Sequence, residues 1–439
     1  MVLDNFMISR KFNIFFISIN ILSLSLILFF TSFIEKLGEI ESISDIFTIF
    51  GSYSGLFSQY VILLSFIFSS RFPLLESKLG LDISLLYHRI TGEVGALLFL
   101  LHIIFEFLSS ITTFGFFNTI ISFTSTAPYM TLASISGLLF FFLIISSLKF
   151  IRRTLNYETW YFLHLLIYPI VILSLFHQIK LGIDFSTSTV KSNFWLGFII
   201  IIILSSLYYR YKSLFLSFIN QSFVVEKSYL SSNIVNLSIS SKDSSGYVGK
   251  FVFLRFLNKD LWWKSHPFSV SFTDSEKFSV SVKNLGLGSS IIHNVRVGEK
   301  VIIEGPYGRL NYQELVRSKV LFIGVGIGIA PIAPFIDHLK EDSQPIFILR
   351  TRVAEELQYI ENLENKVNSI GGTIHKFIGP RGSYDIDPLS FEELAKLVPD
   401  IKERQIVIYG PENYIYKIVR VLRKLDISHS QIHYERIYY

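Results

Sequence analysis

The sequence predicts a multi-domain membrane protein: a six-helix transmembrane bundle over 1–215, an antiparallel β-barrel over 216–315, and an α/β domain with a parallel sheet over 316–439. Three observations carry this reading. Half of the 439 residues are hydrophobic, and most of that excess lies before residue 215. From about residue 218 the chain turns to short alternating runs such as NIVNLSIS and KFSVSVK, the period of half-buried strands. From Lys319 it reads strand, Gly-rich turn, helix, then further strands (IFILRT, TIHKFIG, IVIYG), the rhythm of a parallel sheet.

Apolar windows near 12–34, 52–70, 86–110, 131–149, 158–178 and 194–210 are each long enough to cross a bilayer. The first lacks a small-residue cleavage site and reads as a retained span. Loop charge then alternates. Arg10, Lys11, Arg71, Lys78, Lys149, Arg152, Arg153, Arg210 and Lys212 fall on one side. Lys36, Lys180 and Lys191 fall on the other, where Glu35, Glu39, Glu41 and Asp45 crowd the first loop. By the positive-inside rule, the N-terminus and both later domains are cytoplasmic, in a plasma (inner) membrane. The net charge of +5 follows this topology and is no nucleic-acid footprint. Without a cysteine, the chain has no disulfide, Fe–S cluster, thiolate metal site or thiol catalysis.

An ionisable side chain inside a span is costly and points to function. The third span carries His88 and His102, and the fifth carries His164 and His177. Fourteen residues of helix separate the first pair by about 21 Å and return to within roughly 40° of one face. Gly92 and Gly95 share that face and leave room for flat macrocycles. Thirteen residues miss the starting face by roughly 140°, so the fifth span requires a distortion, which Pro169 can provide. Two histidines at matched depths on two spans are the pattern of bis-imidazole ligation of two stacked haems. Both spans run outward, so His88 pairs with His164 and His102 with His177. A zinc site fits poorly across four helical turns. Arg89, Arg152 and Arg153 are either partners of inner haem propionates or headgroup-level topology signals. Glu106 lies either near the outer haem or at the lipid interface.

In the barrel, HPFSVS begins a strand with His266, Pro267, Phe268 and Ser269. Phe268 could cover a flavin ring and Ser269 hydrogen-bond it. The run VKNLGLGSSII follows, with Lys283 at its head. Gly286, Gly288, Ser289 and Ser290 open a helical stretch whose free N–H groups would hold a pyrophosphate. EGPYGRL closes the barrel. In the α/β domain, FIGVGIGIAPI follows a strand and opens a helix. Gly324, Gly326 and Gly328 let backbone approach phosphates, and Pro331 suits a first helical turn. Gly410 and Pro411 of YGPENYI end another strand at the same carboxyl edge, where open α/β sheets bind ligands.

Taken in order, the four histidines, HPFS, LGLGSS, GPYG, GVGIGIAP, YGPE and a terminal HYERIYY resemble the NADPH oxidase and ferric reductase superfamily from about residue 50 onward. The resemblance implies a six-helix domain with two b haems, an FAD barrel and an NAD(P)H domain of the ferredoxin-reductase type. Val325, Ala330 and Tyr409 depart from the family's usual glycine, threonine and cysteine. The cysteine resembles one placed near the nicotinamide, so Tyr409 could alter hydride positioning. Tyr439, with Tyr438 as the alternative, stands where relatives stack a residue on the flavin. No EF-hand loop or regulatory extension is seen, and no regulatory subunit is implied.

Nicotinamide gives two electrons as hydride and b haems carry one at a time, so FAD must stand between them. The expected path runs from NAD(P)H through FAD, inner haem and outer haem to O2, giving superoxide, with ferric iron or its chelate as the alternative acceptor. The acidic first outer loop is a possible iron dock or simply a solvated loop. Arg350 and Arg352 end the second strand of the α/β domain with no carboxylate before Glu355, which favours the 2′-phosphate of NADPH; NADH stays open. Two other classes compete: a non-enzymatic haem anchor, and a flavin reductase tethered by an inert membrane domain.

Overall fold

The computed structural model describes residues 32–434 apart from 124–127, 260, 263, 311, 316, 358–363 and 381. The first expected span and the terminal tyrosines Tyr438 and Tyr439 lie outside the described residues. The chain divides into two compact units, residues to Phe72 with Ser84–Arg210, and Pro73–Ile83 with Tyr211–Tyr439.

Among the described residues five helical segments are long and apolar enough to cross a membrane. They are α1 (Ile43–Ser69), α2 (Pro73–Phe114), α3 (Pro128–Ser147), the pair α4 (Tyr157–His164) and α5 (Ile167–Leu181), and α6 (Thr189–Asn220). Helices α2 and α6 run well past their hydropathy windows at both ends. Ser42 caps α1, accepting from the Asp45 N–H while the Asp45 carboxylate accepts from the Ser42 N–H. The inner seam of the first unit is Leu63, Phe66, Phe140, Val171, Trp195 and Ile199. Leu97, Leu138, Ile201 and Leu204 face outward, more than half exposed. That pattern suits lipid and not water.

The fifth span changes its turn as its proline requires. Pro169 has no N–H for the Leu165 carbonyl, and its ring crowds that carbonyl. The carbonyl instead accepts from the Tyr168 N–H at 3.2 Å, and α4 ends and α5 begins across Leu165–Leu166.

In the second unit six strands close a barrel in the order β1-β2-β5-β4-β3-β6. These are β1 (Ser222–Ser231), β2 (Ile234–Ser240), β3 (Phe251–Phe256), β4 (His266–Thr273), β5 (Lys277–Lys283) and β6 (Lys300–Tyr307). Alternation fills its interior: Leu237, Ile239, Phe278, Val280 and Val282 point inward. A helix, α7 (Leu287–His293), precedes β6. The following parallel sheet runs β11-β10-β7-β8-β9, from β7 (Val320–Val325), β8 (Ile346–Thr351), β9 (Thr373–Ile378), β10 (Gln405–Tyr409) and β11 (Ile432–Tyr434). Every residue of β7 is buried, as a central strand covered on both faces demands. Helix α8 (Glu412–Lys424) covers one face with Ile415, Ile418, Val419 and Leu422, a helical stripe.

The segment Pro73–Ile83, counted in the 1–215 membrane domain as the inner loop before the third span, clusters with the barrel. Gly80 adopts φ 76°, and a side chain there would meet Arg309 at 2.9 Å. Leu81 packs with Phe251 and Tyr307, and Glu76 Oε1 accepts from the Gly308 N–H at 2.7 Å.

Candidate functional site

Two histidine pairs form inside the first unit. The rings of His88 and His164 lie 5.9 Å apart between centroids, and those of His102 and His177 lie 6.4 Å apart. His88 Nδ1 bonds to the Ser65 carbonyl at 2.9 Å, and His102 Nδ1 to the Gly51 carbonyl at 2.8 Å. A carbonyl accepts only, so each Nδ1 carries the proton and Nε2 keeps the lone pair. Nδ1 of His164 and of His177 is buried with no hydrogen-bond partner among the described residues. Two imidazole nitrogens each about 2 Å from one metal put their ring centroids roughly 6 to 6.5 Å apart. The two separations, 5.9 and 6.4 Å, match that span, and a donor set of two imidazoles would suit a haem iron better than a tetrahedral zinc. The residues therefore fit haem.

A cavity of about 600 Å³ adjoins the outer pair, walled by Gly55, Gln59, Phe99, Glu106 and Gly137 among others. Gly55 is needed there, since a Cβ would meet His102 Nδ1 at 2.8 Å. A Cβ on Gly92 would meet nothing within 4 Å, whereas Gly95 does not make room for a macrocycle. A Cβ on it would meet Ile62 at 2.8 Å, and its carbonyl accepts from Ser58, so it serves close packing of α1 on α2. Glu106 stands 3.9 Å from His102 and accepts from the Ser52 hydroxyl. Arg89 pairs with Glu93 on an exposed face. Arg152 lies over Trp160, whose ring stacks on His164 at 4.9 Å.

In the second unit, chain crossings bring the motifs together. A Cβ on Gly288 would lie 3.1 Å from His266, so the LGLGSS loop rests on the start of HPFS. Phe268 is half-buried against the barrel interior. Ser289 serves the loop itself: its hydroxyl accepts from the N–H groups of Leu285 and Gly286 and donates to the Gly286 carbonyl. The Ser290 N–H is likewise spent on the Gly286 carbonyl.

The nucleotide loop leaves β7 with Gly326 at φ 59°. A Cβ on Gly328 would stand 2.6 Å from the Tyr409–Gly410 peptide, so this glycine joins the GVGIGIAP and YGPE motifs at the sheet's carboxyl edge. Gly324 admits Ile329 and Ile332 against the strand, and Pro331 lies buried in the tight turn 326–332.

Two expectations are corrected here. Tyr409 is 7% exposed, its ring in the core beside Phe335, and its hydroxyl donates to the Gly249 carbonyl at 3.1 Å. Its ring is thus occupied inside the domain, not presented to a nicotinamide. Arg350 is 8% exposed, and its guanidinium donates to the carbonyls of Thr351, Phe377, Gly379 and Pro380 while lying over Tyr384. That fork is spent on the scaffold, and the nucleotide expectation passes to Arg352, which is exposed. Nearby, burial raises the Asp387 carboxyl, but the Lys417 hydrogen bond and charge outweigh it and hold it below the usual range.

Residues 54–175 match the family of the ferric reductase like transmembrane component, and residues 219–311 match an FAD-binding domain. In this order the two are the NADPH oxidase and ferric reductase architecture. The chain thus joins a ferric-reductase-type transmembrane domain to an FAD-binding domain. Among relatives, the glycine betaine monooxygenase reductase subunit of Chromohalobacter salexigens is 27% identical over 203 residues, 43% of this chain and 55% of that one. The probable electron transfer subunit of dihydroorotate dehydrogenase B (NAD(+)) from Methanocaldococcus jannaschii is 29% identical over 166 residues, 38% of this chain and 61% of that one. The chain thus spans less than two thirds of either relative. A ferredoxin NADP+ reductase from Neisseria gonorrhoeae, solved with FAD and NADP, aligns at 14% identity and a TM-score of 0.41 over 49% of this chain and 97% of that one.

Proposed function

We propose that this protein moves electrons from cytoplasmic NAD(P)H across the membrane to O2, giving superoxide on the outer side. The observation that carries the reading is the two histidine pairs, 5.9 and 6.4 Å apart between ring centroids, two of the four rings anchored through Nδ1 to backbone carbonyls. When bound, FAD would accept hydride and release electrons singly, and two b haems would carry them outward one at a time. The chain's own part is to hold and insulate. His88 with His164, and His102 with His177, would hold the two haem irons, and largely apolar residues of α1, α3 and α5 line the cavity beside the outer pair. His266, Pro267, Phe268, Ser269 and the 286–290 loop receive the flavin. The 324–328 loop, Gly410 and Pro411 receive the dinucleotide, with Arg352 preferring a 2′-phosphate. Charge asymmetry of the loops supports an inner or plasma membrane with both soluble domains inside.

Two of the four carboxylates in the acidic first outer loop are already engaged, which weighs against ferric iron as the acceptor. Glu39 pairs with Lys36 at 2.8 Å, and the Asp45 carboxylate accepts from the N–H groups of Glu41 and Ser42 to cap α1. Superoxide and ferrous iron should be measured side by side in membranes given NADPH, with anaerobic controls. Superoxide in air, with slow anaerobic reduction of ferric chelates, is the expected outcome. Fast anaerobic ferric reduction without superoxide in air would reverse the choice.

A further inference from the structure

A buried charge pair joins the strand that feeds the flavin loop to the nucleotide loop. Lys283 ends β5, three residues before Gly286. Glu356 follows β8 by five positions, in the segment that resembles the family's after its second strand and where it could have paired with Arg350 or Arg352. Here it is 1% exposed. Lys283 Nζ donates to its Oε1 at 2.5 Å, and the Thr351 hydroxyl donates to its Oε2. A Cβ on Gly326 would lie 3.8 Å from that same Oε2. The carboxylate therefore stands beside the left-handed glycine that opens the phosphate-approach loop. An unpaired anion there would be dehydrated and would also repel an incoming pyrophosphate. The ammonium removes both penalties, and with three donors it keeps N–H groups beyond the one given to Glu356.

We propose that Lys283 and Glu356 are a positioning pair for the nicotinamide nucleotide. Glu356 fixes the ammonium beside the Gly326 turn, and Lys283 neutralises the carboxylate so that the dinucleotide's phosphates can settle on the loop. The inference rests on the reading that the 324–328 loop receives NAD(P)H.

The test is anaerobic stopped-flow bleaching of the bound flavin by NADPH in the full-length, detergent-purified protein. Lys283→Met should raise the half-saturating NADPH concentration about tenfold or more, as expected for an orphaned carboxylate. FAD content and the limiting rate should stay near wild type. Adding Glu356→Gln removes the orphan charge and should recover most of the loss. Lys283→Gln gives the same comparison should the methionine variant not fold. Lys366→Ala, which breaks an exposed pair with Asp337, is the control for charge loss and should change nothing. A wild type that holds FAD yet is bleached by neither nucleotide overturns the underlying reading. A wild type that is bleached, with Lys283→Met equally responsive or the double variant no better than the single, overturns the pair alone.

Discussion

An imidazole binds a metal through the nitrogen that carries no proton, so the hydrogen bond on the other nitrogen decides its availability. The carbonyls of Ser65 and Gly51 make that decision for His88 and His102. His102→Ala or His177→Ala should therefore lose the outer haem and keep the inner one, halving the haem-to-FAD ratio. Full haem content in all four single alanine variants would contradict the pairing. At Arg352, alanine should raise KM for NADPH roughly tenfold and leave KM for NADH nearly unchanged, since only one of them carries the 2′-phosphate. Wild-type efficiency equal for both nucleotides, and unmoved by the substitution, would remove Arg352 from the site. A third residue reports on pH. Hydrogen bonds and charge from Arg404 hold the Asp400 carboxyl below its usual range, burial opposing. A depressed pKa adds stability above the unfolded value of about 3.9, and that stability is lost as pH falls through the lower folded value. Arg404→Met should cost roughly 2 kcal/mol at neutral pH, with the gap from wild type narrowing below about pH 3 in thermal melts.

Elements place these residues, and their special positions are backbone problems. Pro169 breaks the ladder between α4 and α5, which lets residues 13 apart both meet the histidines of α2. Pro169→Ala restores the missing N–H and should lower haem content, because a regular helix would turn one histidine away by roughly 140°. Unchanged haem content would mean that packing alone sets the bend. Gly328→Ala forces a Cβ to 2.6 Å from the Tyr409–Gly410 peptide. It should abolish flavin bleaching by NADPH while FAD stays bound, checked by stopped flow and flavin content.

At the scale of the whole molecule, what could be read from sequence was whatever has a period or a forced backbone. Alternation in β2 and β5, continuous burial in β7, glycines at loop starts and a proline between two histidines all have local causes. What could not be read depends on partners far along the chain. Gly95 meets Ile62 across two helices, Arg350 meets carbonyls 27 to 30 residues away, and Tyr409 reaches Gly249 from 160 residues away. The grouping of Pro73–Ile83 with the barrel is of the same kind, since its partners there lie more than 150 residues further along the chain. The two domain matches and the histidine pairs together make electron passage through the bilayer the central claim. The most direct test is the absorption spectrum of the purified full-length protein, with haem and FAD quantified, before and after anaerobic NADPH. The account predicts two low-spin b haems per FAD, both reduced by NADPH; flavin bleaching in a protein with no haem absorbance would contradict it.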